Sequence, residues 1–150
     1  MEVLSEKAIE VLKKAGWYEG RKIDITENVK FLEERGFEVL DKAKKFMEEF
    51  GELKINVQTV RKDGSIKVSK HSTCIKDVVG CLDARNFGLE DYVKEKLMLI
   101  GNLYNGDIDL YISESGRVYM LIGWVADSVW EAWDKIINEK KIVIWDKFVE

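Results

Sequence analysis

Apolar residues recur at helical spacing from the start of the chain. Leu4, Ala8, Leu12 and Ala15 fall on one stripe, with Ser5 at the N-cap position and Gly16 at the stop. The same spacing predicts a second helix over 28–35, capped by Thr26 and ended by Gly36, with Val29 and Leu32 inward and Phe31 beside them. Residues 37–40 read as a short extended link. Asp41 then caps a third helix whose Ala43, Phe46, Met47 and Phe50 share one apolar face, closed by Gly51.

From Leu53 the period changes to two. Leu53, Ile55 and Val57 alternate with polar residues, and the turn Lys62-Asp63-Gly64 leads into Ser65-Ile66-Lys67-Val68, which predicts a hairpin. Residues 71–88 carry no clear period. A short helix is predicted over 89–95, a strand over 97–100, and a loop at Gly101-Asn102. Ile108, Leu110 and Ile112 form a strand that turns at 113–116 into the nearly all-apolar, central strand 118–122. Ser128 and Glu131 match a capping box before a last helix that buries Trp133 with Ile136 or Ile137, and 142–145 adds an edge strand. Helices, then hairpin-linked strands, then a helix make an α+β fold with a mainly antiparallel sheet.

The length of 150 residues fits one domain spanning 1–150, and 46% apolar with 35% charged residues fits a soluble globular protein. No apolar run is long enough for a membrane span, the start shows no secretory signal, and two cysteines make no disulfide framework; the expected compartment is the cytoplasm. The chain has no proline, so glycine and Asn/Asp turns must make its breaks. The net charge of −4 is uneven: residues 1–52 carry 13 acidic and 10 basic side chains, 53–100 carry 6 and 9, and 101–150 carry 9 and 5. This argues against direct nucleic-acid binding and fits a basic protein partner.

Catalytic patterns are thin. His71, Cys74 and Cys81, with Asp83, lack the paired spacing of a zinc site, so no metal and no cofactor is expected. His71 and Cys74 sit in no recognisable nucleophile motif. Asp107 and Asp109 share one strand face, which reads first as solvated. Of the five tryptophans, Trp133 is core by its spacing, Trp130 lies at the margin of that face, and Trp124 follows Gly123 at a strand end.

Four blocks of sequence carry a resemblance. Gly16-Trp17, Gly20-Arg21 and Asp24 form the first; Phe46 to Leu53, with Phe50-Gly51, the second; Ile100-Gly101 the third; and Gly116-Arg117-Val118-Tyr119 the fourth. In this order they resemble the third subfamily of the SUKH superfamily of bacterial immunity proteins, over most of residues 8 to 137. Residues 60–90 depart most from the pattern, and Leu99 stands where the family often has proline.

The resemblance implies a curved, mainly antiparallel sheet flanked by helices, and a non-enzymatic immunity protein that binds and neutralises a cognate toxin domain, such as a nuclease. The matched residues Gly16, Trp17, Gly20, Arg21, Asp24, Phe50, Gly51, Gly101, Gly116 and Tyr119 are expected to be architectural. If the toxin presents a basic groove, acidic side chains would mimic phosphate: Glu48, Glu49 and Glu52 at the end of the third helix, and Asp107, Asp109 and Glu114 by the strand hairpin. Tyr18, Tyr104, Tyr111 and Trp124 are the expected hydrophobic anchors. The chain itself is expected as a monomer or weak homo-oligomer. The alternative is a regulatory or scaffold module that binds an endogenous cytoplasmic protein.

Overall fold

The computed structural model of the protein describes residues 4–79, 89–120, 123–140 and 142–144. Three helices come first: α1 (Glu6–Ala15), α2 (Thr26–Glu34) and α3 (Asp41–Phe50). The strands β1 (Lys54–Val60) and β2 (Ile66–Ser72) follow, then the short helices α4 (Ile75–Val79) and α5 (Leu89–Val93). The chain continues through β3 (Leu97–Leu103), β4 (Ile108–Ser113), β5 (Val118–Met120) and β6 (Gly123–Ala126), and closes with α6 (Val129–Ile137) and β7 (Val143–Ile144). All seven strands form one antiparallel, curled sheet in chain order, a meander within an α+β fold. Cys81, Asp83, Ile122 and Trp145, named above from the sequence, lie outside the described residues.

Helix α1 ends as its sequence requires. Ser5 Oγ accepts from the Ala8 amide, and Gly16 takes a left-handed φ of 114°. The Trp17 amide then bonds the Leu12 carbonyl and the Gly16 amide that of Lys13, a Schellman closure. That closure throws Trp17 inward, where it is 3% exposed.

Phe50 is the hub that receives it. The Trp17 ring stacks on Phe50 at 6.0 Å, and Phe46, Trp130 and Trp133 each lie within 5.8 Å of Phe50 between ring centroids. Rings from the end of α1, from α3 and from α6 thus share one contact, and it holds the three helices together as a layer. Contacts of α1 with β1, of α3 with β3 and β4, and of α6 with β6 seat that layer on the sheet. Edge-to-face geometry, as between Phe50 and Trp130 at 77°, is the arrangement aromatic quadrupoles favour.

Several boundaries differ from the sequence reading. Thr26 is the first residue of α2 rather than its cap: Asp24 Oδ1 accepts from both the Thr26 amide and its hydroxyl, a local turn that competes with capping. Asp41 likewise begins α3, whose N-cap Leu40 has no side-chain bond. Gly101-Asn102 is no loop. It lies inside β3, at a register shift between Leu99 and Gly101. A Cβ at Gly101 would come 2.7 Å from the Ser72 carbonyl oxygen, so the glycine is there for close approach of β2 and not to end a strand.

Two buried polar residues tie β2 to its surroundings. Thr73 Oγ1 donates to the Phe50 carbonyl and accepts from the Leu53 amide, joining the end of α3 to the start of β1. His71 is 2% exposed, and its Nδ1 accepts from the Tyr104 amide at 3.1 Å. Nδ1 is therefore unprotonated and the proton sits on Nε2, which has no partner among the described residues. Burial is the main cause that pulls the His71 pKa down to about 4, against a weaker upward pull from Glu139.

Three measurements test this frame. Phe50→Ala should lose about 3–5 kcal/mol of unfolding free energy by denaturant titration, because it removes the hub and leaves a void. Gly101→Ala should lose about 1–3 kcal/mol, the cost of forcing a methyl against backbone. His71 adds a pH signature. Its folded pKa lies below the unfolded value of 6.5, so between pH 6.5 and about 4 only the unfolded chain binds the proton and stability falls as pH drops. The full effect is about 3 kcal/mol, and a His71→Gln variant should show a flatter stability profile across that window than the parent.

Candidate interaction surface

The family-type residues gather around the Phe50 hub. Trp17 stacks on it, and the segment that follows folds back along α3: the Ile23 amide bonds the Glu48 carbonyl, and Arg21 Nη1 donates to the Glu49 carbonyl at 2.9 Å. Arg21 caps backbone carbonyls at the end of α3, where a cation also meets the negative end of the helix dipole. Partial burial lowers its pKa, while the nearby Tyr18 and Glu52 hold it up. Gly116 sits in the β4–β5 turn, where a Cβ would come 3.6 Å from the Lys42 side chain on α3. Tyr119 is buried in β5 and its hydroxyl donates to Glu95.

The loop held by Arg21 brings four of the expected contact residues together. Tyr18 is 56% exposed. Glu48 lies 4.0 Å from Lys22, and Glu52 Oε1 accepts from the buried Asn28 at 3.1 Å. Glu49 is half-buried, and that burial pushes its carboxyl above the usual range. Phe46, Phe50, Ile112 and Trp130 give an apolar floor to a groove of about 250 Å³ beside it, rimmed by Glu49 and Asp127 and by Lys42 and Lys45. The result is three glutamates close to Arg21, Lys22 and an exposed tyrosine, with an aromatic-floored groove beside Glu49 whose rim carries both signs.

The other expected contacts are scattered. Asp107 and Tyr104 lie in the β3–β4 turn and Asp109 at the start of β4, whereas Glu114 stands beyond the far end of that strand, with its amide bonded to the Lys96 carbonyl. Burial pushes the pKa of both Asp109 and Tyr104 up. Trp124 is half-buried under Lys135, whose ammonium lies 4.4 Å from its ring centroid. Tyr111 is a correction. It is 3% exposed, because both alternating sets of β4 side chains are covered, and burial with nearby Asp109 pushes its pKa up to about 12. It belongs to the core and offers no surface anchor.

Asn28, Thr73 and His71 are buried, hydrogen-bonded polar positions that periodicity missed. Each is a polar residue whose partner lies more than twenty positions away, so only the fold shows its role. His71 is held neutral with one nitrogen occupied, and burial pushes the Cys74 thiol up, away from the thiolate that nucleophilic attack needs. Among the described residues no three of His, Cys, Asp and Glu gather as a metal site, and no helix is long and apolar enough to cross a membrane.

No curated protein and no solved structure matches this chain. The family model described as SUKH-3 immunity protein matches residues 4–139, a span that holds α1 to α6, the Phe50 hub and the loop that carries Trp17 and Arg21. The chain belongs to the SUKH-3 immunity protein family.

Proposed function

We propose that this immunity protein neutralises a cognate toxin domain by one-to-one binding, with no catalytic step of its own. The carrying observation is the acidic and aromatic surface at the end of α3, where Tyr18, Glu48, Glu49 and Glu52 converge on the Arg21 loop. Carboxylates held on a rigid helix end beside an exposed ring suit a basic enzyme groove, such as that of a nuclease: the charges stand in for phosphates and steer encounter. Tyr18 supplies the anchor, since tyrosine adds contact area at low entropic cost. Asp107 and Asp109, with Tyr104, form a second acidic group at the β3–β4 turn, while Glu114 and Trp124 lie apart from both. An inhibitor that outlasts exposure to an enzyme needs nanomolar affinity or better, about −12 kcal/mol.

Co-expression with the adjacent toxin domain tests the role: rescue of growth together with co-purification supports it, and failure of both removes it. The surface is tested separately by Glu48→Lys/Glu52→Lys. That double variant should bind the toxin domain at least about tenfold more weakly, or ~1.4 kcal/mol, at a temperature where it is fully folded; because Glu52 is the acceptor for buried Asn28, its denaturation midpoint falls below that of the parent. Full affinity in this variant and in Asp107→Lys/Asp109→Lys would remove phosphate mimicry as the mode of inhibition.

A further inference from the structure

The two edges of the sheet are unlike. At one, β7 offers two residues. At the other, β1 offers seven, paired with β2 in unbroken register from Lys54↔Ser72 to Val60↔Ile66, with no bulge. No backbone hydrogen bond joins β1 to anything but β2 among the described residues. Natural sheets usually blunt such an edge with proline, a bulge, a short strand or a covering segment. Among the described residues β1 has no proline, no bulge and no segment hydrogen-bonded over it, and Lys54 is its one charged side chain.

A groove of about 340 Å³ runs beside this edge. Lys7, Glu10, Val11, Lys14 and Ala15 of α1 form one bank, and Lys54, Asn56 and Gln58 of β1 form the other. Beyond the groove the outward face of the hairpin becomes apolar. Val60 and Ile66 are directly paired and 71% and 61% exposed, and Val68, two positions from Ile66 on the same face, is 42% exposed. The hairpin is also basic in an acidic chain: residues 54–70 hold five Lys or Arg side chains against the single acid Asp63, a net +4 where the whole chain is −4. Among the described residues, Lys67 alone of these five is in an ion pair, with Glu139. On α1, Lys14 has merely an exposed partner in Glu10.

We propose that the open edge of β1 is a strand-addition site for an extended, acidic segment of a protein partner, a surface distinct from the α3 rim. An added strand would bond the free amides and carbonyls of β1, and the side chains it turns to the outward face would run past Lys54, Asn56, Gln58 and Val60. At the Lys54 end, beside Lys7 and Lys14, that face suits carboxylates. At the Val60 end, with Ile66 and Val68 beyond it on β2, it suits branched aliphatics.

The chemistry separates this occupant from others. A bilayer would have to take up the charged tip, Arg61-Lys62-Asp63, before it reached the valines. A nucleic acid would want aromatic platforms and a polar face, and the centre of this face is aliphatic. A globular second copy needs about 800 Å² per partner, whereas seven residues of strand span only about 24 Å.

The test uses the full chain and a capped seven-residue peptide, Val-Glu-Val-Glu-Val-Glu-Val, followed by amide NMR. Binding should shift the β1 amides and slow their hydrogen exchange at least tenfold. The same peptide N-methylated at alternate residues should not bind, because the methyl groups remove the ladder donors. The peptide with lysine for glutamate should bind at least tenfold more weakly, as should the acidic peptide to Lys7→Glu/Lys14→Glu protein, whose denaturation midpoint stays that of the parent. No binding at millimolar peptide overturns the proposal. So does equal binding of the N-methylated peptide, perturbation that maps away from β1, or concentration-dependent self-association through the same amides without peptide. Displacement of the peptide by anionic vesicles or by single-stranded DNA at lower concentration than by its own unlabelled form also overturns it.

Discussion

The ring of Phe50 is the constraint on which the rest of the structure depends. It is the last residue of α3, 1% exposed, and it meets aromatic rings from both ends of the sequence. Apolar burial gives such a hub its strength, and aromatic geometry gives it direction, since stacked and edge-to-face pairs fix relative orientation where aliphatic contacts would slide. Once Trp17 is stacked there, the chain leaving α1 has one course along α3, and Arg21 reaches the helix-end carbonyls. The glutamate cluster follows from this. Glu48, Glu49 and Glu52 stand beside Tyr18 because the hub leaves the loop nowhere else to lie.

Local features were legible in the sequence and long-range ones were not. Ser5, Gly16 and Ser128 read correctly because a cap depends on residues within a few positions of itself. The hairpin strands β1 with β2 and β4 with β5 followed from the period of two and from short turns, whereas β6 and the long passage from β2 to β3 had no such signal. Errors arose where a distant partner overrode the local rule. Gly101 looked like a loop glycine, but the Ser72 carbonyl presses on that position from another strand. Tyr111 looked solvated because its neighbours Leu110 and Ile112 supplied an apolar face already; a strand in mid-sheet is covered on both sides, and alternation loses its meaning there. His71 looked like a loop histidine and proved to be a buried acceptor for the Tyr104 amide.

The candidate rim was half legible. Composition marked its glutamates, and the family blocks marked the loop beside them, but no pattern tied the two together before Arg21 was seen to bond the Glu49 carbonyl. Charge is sorted by element in this protein: acids at the end of α3 and unpaired cations on the β1–β2 hairpin. Because fields from exposed groups fade over about 8 Å at physiological salt, each patch acts on what comes near it, and the total of −4 says little about either.

The hub has a consequence in time as well as in space. Its last rings, Trp130 and Trp133, arrive eighty or more residues after Phe50 leaves the ribosome. A helix layer whose central contact closes so large a loop has little to bury while synthesis is under way, and contacts of long separation are slow to form. An incomplete chain therefore holds α1 and α3 without the layer that positions the Arg21 loop. A fragment ending before α6 would lack the Trp130 and Trp133 rings that complete the contact around Phe50.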